Sequence, residues 1–422
     1  MQTRSIDRRV FVRAGSMALF SIGVDPLFLT RAAYAASATR TSVGKKTLVC
    51  VFQRGAVDGL NTVIPHGDPH YYRERPRIAV SRPGTTGGVI DLDGHFGLHP
   101  ALAPLAPFYR DGSLAIVHAV GSPNSTRSHF DAQDYMETGT PGDKSTRTGW
   151  ANRHLQHSAE HANTPFRGVA IGQSLPRALQ GSTPALAIND LKAFGVGPAR
   201  SRDRLTRAFE DLYDASATGL VATSSDEAFE AVRMLKTVDP GRAEPANGAE
   251  YPRSPLGNRL RQIAQLIKAD LGLEIAFTDV GGWDTHVNQG AGEGQLAQRL
   301  RDFGLSLAAF AIDLGNRMAD VMVLTMSEFG RTVAENGNRG TDHGHATAMF
   351  ALGGATRGGK VLGTWPTLDP AERFEGRDLA MTTDFRDLFG EILVGHLGET
   401  DLEKVFPGHV STRERWPGIL HG

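Results

Sequence analysis

Val321-Met-Val-Leu-Thr-Met326 is an unbroken apolar run, and the glycine-containing segment after it includes Gly340-Thr-Asp-His-Gly-His345. The run predicts a strand that is buried on both faces, as in a parallel sheet. The segment after it brings Asp342, His343 and His345 together within four residues. Carboxylates and imidazoles are ligands of divalent metals such as zinc, so the two stretches predict a metal site at a strand end. The alternative is a solvated surface loop in which Asp342 caps a turn.

The same order, a buried strand followed by candidate ligands, occurs twice more. Thr47–Phe52 is an apolar run that leads to Asp58. Leu273–Asp279 leads through two glycines to Asp284 and His286. In open α/β sheets, ligands gather at the carboxyl ends of the strands, so all three side chains are candidate metal ligands. The alternatives are a turn aspartate in the first loop and a capping aspartate beside a solvated histidine in the second.

A fourth strand end carries hydroxyl groups. Ser113–Val120 is largely apolar, and the segment after it reaches Ser128, which begins the Ser-x-x-acid spacing of a helix N-cap. A hydroxyl at a helix N-terminus lies near the positive end of the helix dipole, so Ser128 is a candidate nucleophile. Ser125 and Thr126 are alternative nucleophiles, and His129 is a candidate acid, base or ligand. The other interpretation of Ser128 is an N-cap alone.

Two charged residues, Glu328 and Arg331, follow the strand Val321–Met326. Each is a candidate partner of a metal ligand or of a substrate, and Arg331 is a candidate catalytic cation. The alternative is an ordinary surface ion pair, which contributes little to stability.

Several segments have the apolar spacing of amphipathic helices. Apolar residues recur every three or four positions in 260–271 and in 296–318, and 384–396 is also predicted to be helical. Residues 201–238 are predicted to form further helices. Buried strands separated by such helices are typical of an α/β fold.

The composition excludes some classes of protein. The chain has 422 residues, of which 40% are hydrophobic, and this is enough for a large core. The formal net charge is -1, so the sequence predicts no nucleic-acid partner. Cys50 is the single cysteine, so no intrachain disulfide can form, and its apolar neighbours predict a core position.

The N-terminus has the order of an export signal, with charged, apolar and small residues in succession. Arg8 and Arg9 precede the apolar run Ala14–Leu29, and alanines follow it. The arginine pair resembles a bacterial twin-arginine signal, although Asp7 stands where Ser or Thr is commoner. The apolar run is shorter than a membrane span, so we expect no stable membrane span in the mature chain. The alternative is an apolar N-terminal helix.

From this pattern we expect residues 1–38 to be a signal that is removed and residues 39–422 to form a single domain. The twin-arginine export machinery is then an expected partner, and the mature protein is expected to be periplasmic or secreted.

The candidate ligands are too numerous for one ion. If the strands are mainly parallel, their carboxyl ends lie at one edge of the sheet, and the candidates can meet there. The seven candidates (three aspartates, three histidines and Ser128) exceed the roughly four ligands that zinc usually takes; two ions a few ångströms apart would use them all, and we expect one or two ions. Zinc and manganese both accept such a mixed set.

The motifs FQRGAVDGLN, RSHFDAQD, GGWDTH, SEFGRT and GTDHGH resemble those of the bacterial family known as domain of unknown function 1501. The resemblance extends from about Thr47 to beyond His396. That family is grouped with the alkaline-phosphatase-like superfamily of phosphatases, sulfatases and phosphomutases. The resemblance implies a mostly parallel central sheet with helices on both faces.

The resemblance also implies how the ligands divide between two ions. One ion would be held by Asp58, Ser128, Asp342 and His343, and the other by Asp284, His286 and His345. The chain departs from the superfamily pattern at two points. The aspartate and histidine of the GGWDTH motif are closer together than in two-zinc phosphatases. There is no Cys-x-Pro-x-Arg signature, which disfavours a formylglycine sulfatase.

Together these features predict an exported, metal-dependent hydrolase that attacks a small anionic phosphate or sulfate ester with a hydroxyl nucleophile. The alternative is a non-catalytic exported protein that retains the fold for binding or assembly. A structural calcium site is disfavoured because calcium prefers oxygen ligands over histidines.

Overall fold

The computed structural model describes residues 46–158, 164–191 and 243–421, together with the short stretches 22–23, 231 and 234–235. Most of the predicted signal and nearly all of the predicted helical segment 201–238 therefore lie outside the described residues.

Thirteen strands form two sheets in the described part of the chain. They are β1 (Ile22–Gly23), β2 (Thr47–Gln53), β3 (Val63–Ile64), β4 (Ile90–Asp91), β5 (Gly97–Leu98), β6 (Leu114–Gly121), β7 (Gly168–Ile171), β8 (Ala185–Ile188), β9 (Ile275–Val280), β10 (Val321–Met326), β11 (Thr347–Gly353), β12 (Val361–Leu362) and β13 (Thr383–Asp384). The large sheet has ten strands in the order β1-β8-β7-β9-β2-β10-β11-β6-β12, and β13 also pairs with β6. The small antiparallel sheet has the order β3-β5-β4.

The large sheet is mostly parallel, as the sequence predicts. The neighbouring strands β8, β7, β9, β2 and β10 are all parallel to one another. β11 is antiparallel both to β10 and to β6, so β6 runs in the same direction as β10. The carboxyl ends of β2, β6, β9 and β10 therefore lie at the same edge, and the loops that carry the candidate residues start there.

Nine α-helices are described. They are α1 (Gly59–Thr62), α2 (Pro69–Glu74), α3 (Ala106–Arg110), α4 (His129–Thr138), α5 (Trp150–His157), α6 (Pro255–Lys268), α7 (Gln295–Leu314), α8 (Phe385–Gly395) and α9 (Leu402–Val405). None of the helices in the described residues is long and apolar enough to cross a membrane.

The core lies on both faces of the large sheet because every side chain of β2 is buried and successive side chains point to opposite faces. Val49 and Val51 belong to the apolar cluster that includes buried residues of α6 and α7. Leu48, Cys50 and Phe52 belong to the other cluster, which includes residues of α5 and α8. Cys50 is fully buried, as predicted, and burial raises the pKa of its thiol. The α/β architecture with helices on both faces is thus confirmed.

Candidate metal centre

Four candidate metal ligands come from three loops at the carboxyl edge of the sheet. The loop after β9 carries Asp284 and His286, and the loop after β10 carries His343. His129 is the first residue of α4, which follows β6. The mostly parallel sheet brings these loops together, although the residues are far apart in the chain.

His343 and Asp284 lie between the other two side chains. The Nε2 atom of His343 lies 3.0 Å from Nε2 of His129 and 3.0 Å from Nε2 of His286. The carboxylate of Asp284 lies 2.9 Å from Nε2 of His286, 3.2 Å from Nε2 of His343 and 3.5 Å from Nε2 of His129. In tetrahedral zinc sites, Zn–N bonds of about 2.0–2.1 Å place neighbouring ligand atoms roughly 3.3 Å apart, so the observed spacing fits a metal ion.

The Nε2 atom of His343, which faces the other candidate ligands, is unprotonated. Its Nδ1–H donates to the backbone carbonyl of Arg127 at 2.9 Å. A neutral imidazole carries one proton, so a proton on Nδ1 leaves the Nε2 lone pair free. Burial lowers the pKa of His343, which favours this neutral form.

The other two imidazoles are held through Nδ1 by carboxylates. Nδ1 of His129 is 2.8 Å from Oε1 of the buried Glu328, and Nδ1 of His286 is 3.1 Å from Oδ1 of Asp342. Asn336 in turn donates to Oδ1 of Asp342 at 3.0 Å. Metal-binding histidines typically use the second ring nitrogen in this way, since the partner fixes the tautomer and the ring orientation. Nε2 of His129 and Nε2 of His286 are thereby both directed at Nε2 of His343.

The charges at the centre favour an ionised carboxylate beside the imidazoles. Burial raises the pKa of Asp284, but the hydrogen bond and positive charge of Arg331 outweigh it and hold that pKa below its ordinary value. The hydrogen bond to Glu328 is the main cause of a raised pKa at His129. In the absence of another cation, this histidine would attract a proton to the centre.

The centre is open to solvent on one side. The side chain of Asp284 is 44% exposed and that of His286 is 37% exposed. Catalytic metal sites keep a position for water or substrate, whereas structural sites are closed by protein ligands. The arrangement is thus compatible with a reacting ligand at the metal.

The family model described as "Protein of unknown function (DUF1501)" matches residues 45–410. The chain belongs to the DUF1501 family. The membership confirms the resemblance of the sequence motifs. No curated protein that was compared matches this sequence.

The fold of this DUF1501 chain is similar to those of several solved hydrolases and related proteins. A phosphonate monoester hydrolase of Agrobacterium radiobacter is 11% identical, with 88% of this chain and 79% of that chain covered and a TM-score of 0.37. The C-terminal periplasmic domain of EcEptC from Escherichia coli, solved in complex with zinc, is 11% identical, with 75% and 74% covered and a TM-score of 0.36. The PsFucS1 sulfatase from Pseudoalteromonas sp. is 11% identical, with 99% and 78% covered and a TM-score of 0.39.

Asp58, a predicted ligand, belongs to a different part of this DUF1501 chain's interior. Its Oδ2 accepts a hydrogen bond from Nη1 of Arg75 at 2.7 Å and another from Nε2 of Gln289 at 2.6 Å. The side chains of Asp58 and Arg75 are both fully buried. The cation at Arg75 already balances the charge of this carboxylate, and Asp58 lies outside the group of mutually close ligand atoms, so its role as a metal ligand stays a prediction.

His345 and Asp342 also have roles other than the predicted direct ligation. The buried ring of His345 stacks on Phe374, with 4.1 Å between the ring centroids. Asp342 contacts His286 through Nδ1, on the side of the ring opposite to the converging nitrogens. Among the residues that the structure describes, the ligand atoms of His129, Asp284 and His343 all lie within 4.8 Å of one another, and Nε2 of His286 adjoins Asp284 and His343. Whether one or two ions bind at this edge of the sheet stays a prediction.

Arg331 is close to the centre, but its guanidinium is committed to the protein. It is almost fully buried. Its N–H groups donate to the carbonyl oxygens of Gly55, Ala56, Trp283 and Thr341 and to the carboxylate of Asp284. These bonds connect the loops after β2, β9 and β10. In the structure Arg331 joins the loops and balances Asp284, and its role as a catalytic cation stays a prediction.

Ser128 is the N-cap of α4, as its spacing predicts, and Oγ accepts from the backbone N–H of Asp131 at 3.5 Å. Ser128 is exposed and directly precedes the candidate ligand His129. Thr126 is involved in the same turn, because its Oγ1 accepts from the N–H of Ser128 at 3.3 Å. Their choice as nucleophile, and that of Ser125, stays a prediction.

Gln133 is a supporting residue that the sequence interpretation missed. Its Nε2 donates to Oε1 of Glu328 at 2.9 Å, and its Oε1 accepts from Arg54 at 2.9 Å. Gln133 follows His129 by four positions, so the two side chains share one face of α4. That spacing is the sequence signal that would have indicated its role.

Proposed function

We propose that this protein binds one divalent metal ion through His129, Asp284, His286 and His343 and hydrolyses phosphate or sulfate esters. The observation that carries the proposal is that Nε2 of His129 and Nε2 of His286 both approach Nε2 of His343 and the carboxylate of Asp284, with Nδ1 of every imidazole held by an acceptor. Three imidazoles and one carboxylate suit zinc, and manganese also accepts such a set. A bound divalent ion supplies positive charge that polarises the oxygens of an ester.

The protein's own side chains orient the centre and supply the nucleophile in this proposal. Glu328 and Asp342 hold the rings of His129 and His286 in place, which avoids reorientation during the reaction. Ser128 then attacks the ester from the N-terminus of α4, where the helix dipole stabilises the developing negative charge on Oγ. The bond from Oγ to phosphorus or sulfur forms as the bond to the leaving oxygen breaks. The hydroxyl proton leaves through solvent, and water later hydrolyses the serine ester.

The test uses the full chain, purified and loaded with zinc or manganese. We expect about one metal ion per chain by elemental analysis and hydrolysis of p-nitrophenyl phosphate or sulfate. Asp284→Asn and His343→Ala should lose both metal and activity, whereas Ser128→Ala should lose activity and keep the metal. His345→Ala is the matched control and should keep both. Metal-loaded protein without ester hydrolysis, or activity that survives Asp284→Asn, would contradict the proposal.

Full activity in Ser128→Ala would overturn the nucleophile without removing the metal centre. The Ser125→Ala and Thr126→Ala variants then identify the attacking hydroxyl. Trapping of a phosphoserine at acidic pH, followed by peptide mass spectrometry, provides a direct readout of the covalent step.

A second candidate is a non-catalytic protein in which the metal holds the structure together. The observation in its favour is that the centre joins three loops that follow different strands. This candidate predicts bound metal, a large fall in melting temperature on chelation, and no ester hydrolysis. Melting with and without a chelator, measured beside the activity assay, separates the two candidates.

We further propose that the chain is exported through the twin-arginine route to the periplasm or beyond. The supporting feature is the pair Arg8 and Arg9 before an apolar run. Replacing both arginines with lysine should retain the protein in the cytoplasm, and Arg13→Lys is the matched control. Equal export of both variants, measured by cell fractionation, would exclude this route.

A further inference from the structure

Gln289 is a fully buried amide that bonds to three side chains near the metal centre. Its Nε2 donates to Oδ2 of Asp58 at 2.6 Å. Its Oε1 accepts from Oγ1 of Thr285 at 2.7 Å and from Oγ1 of Thr341 at 3.0 Å. Both the NH₂ group and the carbonyl oxygen of this amide are thus hydrogen-bonded inside the protein.

The two threonines are direct neighbours of residues at the metal centre. Thr285 lies between Asp284 and His286, which are both candidate ligands. Thr341 precedes Asp342, whose carboxylate holds the ring of His286. By bonding to both hydroxyls, the amide connects the loop that carries two ligands with the loop that orients one of them.

The direction of the amide is set by Asp58. An ionised carboxylate only accepts hydrogen bonds, so the NH₂ end of Gln289 must face Asp58. The carbonyl end therefore faces Thr285 and Thr341, and both hydroxyls must donate to it. A flipped amide would direct N–H groups at those hydroxyls and an oxygen at the carboxylate.

Asp58 is itself held by a buried cation. Nη1 of Arg75 donates to Asp58 and, at 2.8 Å, to Oδ1 of Asn61. Nη2 and Nε of Arg75 donate to the carbonyls of Thr332 and Val333 at 2.7 Å and 2.9 Å. A buried ion pair loses much of its Coulombic gain to desolvation, so it is a weak source of net stability. The pair instead holds the carboxylate of Asp58 in a fixed position, where the amide of Gln289 can bond to it.

We propose that Gln289, anchored by Asp58 and Arg75, is a positioning residue of the metal centre. Through Thr285 it fixes the turn between Asp284 and His286. Through Thr341 it fixes the start of the segment that contains Asp342. The inference rests on the metal site proposed above and assigns a role to Asp58 in that site without direct metal contact.

The first test measures zinc affinity by competition with a chromogenic chelator, with the wild-type chain and Gln289→Met. Methionine keeps the length of the side chain and removes both hydrogen-bonding ends. We expect the zinc dissociation constant to rise about tenfold or more, as when an outer partner of a metal ligand is lost. We also expect a changed absorption spectrum of the cobalt-loaded protein, because the spectrum depends on ligand geometry.

Thr47→Val is the matched control for the loss of a buried hydrogen bond. Oγ1 of Thr47 donates to the carbonyl of Leu273 at 2.9 Å, at the amino end of β2 and so at the opposite edge of the sheet. This variant should keep the wild-type zinc affinity and cobalt spectrum. An equal loss of affinity in Thr47→Val would show a general effect of stability and overturn the inference.

Thr285→Val and Thr341→Val provide milder variants in case Gln289→Met does not fold. Each removes one hydroxyl and should weaken zinc binding. Combining Thr285→Val with Gln289→Met should weaken binding less than the two separate effects predict, because both remove the same hydrogen bond. If the wild type binds zinc and all three variants bind it equally well, the inference is wrong and the metal site stands. If the wild type binds neither zinc nor manganese, the metal site and the inference both fail.

Discussion

His343 and His345 are two residues apart and have opposite roles. His343 is anchored through Nδ1 to a carbonyl and directs Nε2 at two other imidazoles. His345 is buried against the ring of Phe374, and burial lowers its pKa. A short His-containing motif does not by itself distinguish a ligand from a packed side chain, because the distinction depends on the partner of each ring nitrogen.

Replacing each histidine with alanine separates the two roles. His343→Ala removes the nitrogen that contacts both other imidazoles, so we expect zinc affinity to fall by more than the roughly 10–100-fold that loss of an outer partner causes. His345→Ala should keep the zinc affinity and lower the free energy of unfolding by about 1–3 kcal/mol, the usual range for a buried side chain. Chelator competition and urea unfolding measure the two effects. Equal zinc loss in both variants would contradict the assignment.

At the level of elements, the centre depends on two loops that lie directly against each other. The backbone N–H of Gln289 donates to the carbonyl of Arg339 at 2.9 Å, and the N–H of Thr341 donates to the carbonyl of Thr285 at 3.2 Å. A Cβ atom on Gly340 would overlap the carbonyl oxygen of His286. Glycine at this position therefore allows the approach of the loops that brings Asp342 to the ring of His286.

Gly340→Ala should separate these loops. Backbone atoms cannot move aside as a flexible side chain can, so we expect a loss of about 1–3 kcal/mol in the free energy of unfolding, together with weaker zinc binding. Gly337 lies in the same loop and an added Cβ there has no neighbour within 4 Å, so Gly337→Ala is the control. The two variants are compared by thermal melting and by zinc titration. Wild-type behaviour of Gly340→Ala would show that the loops can separate without affecting the site.

At the level of the whole molecule, four apolar runs predict β2, β6, β9 and β10 of the large sheet. The predicted strand Val321–Met326 has the observed bounds, and the run that begins at Thr47 extends one residue further than predicted, to Gln53. Uninterrupted apolar sequence identifies strands that are buried on both faces, and these form the centre of the sheet. The sequence did not predict that β11 is antiparallel to β10 and β6. An apolar run does not indicate which strands it pairs with or in which direction.

The candidate site was predictable as a region and less so residue by residue. Sequence indicated which strand ends carry ligands, since carboxylates and imidazoles follow apolar runs. It did not reveal that Arg75, from a separate helix region, neutralises Asp58, or that Glu328 would bond to Nδ1 of His129 and so favour one of the three roles predicted for that histidine. Both outcomes depend on contacts between residues that are distant in the chain.

Two buried histidines make the free energy of unfolding of the whole molecule depend on pH. Burial lowers the pKa of His118 and of His396 to about 4. Each ring places Nε2 at a backbone carbonyl, that of Val63 at 2.9 Å and that of Thr47 at 3.1 Å. The unfolded chain binds protons at these residues near pH 6.5, whereas the folded chain does so only near pH 4. The stability that they contribute is therefore present above pH 6.5 and is lost as the pH falls from there through about 4.

His396→Gln should remove the contribution of one of these residues. Glutamine can still donate to the carbonyl of Thr47 and does not titrate. Between pH 7.5 and pH 5, we expect the wild type to lose about 2 kcal/mol more in the free energy of unfolding than His396→Gln, from a pKa difference between about 6.5 and about 4. Urea unfolding at both pH values, at equal metal content, measures this difference. The exposed His421 supplies the control, since His421→Gln should retain the wild-type loss. An equal loss in His396→Gln would mean that His396 takes up its proton in the folded protein at the same pH as in the unfolded chain.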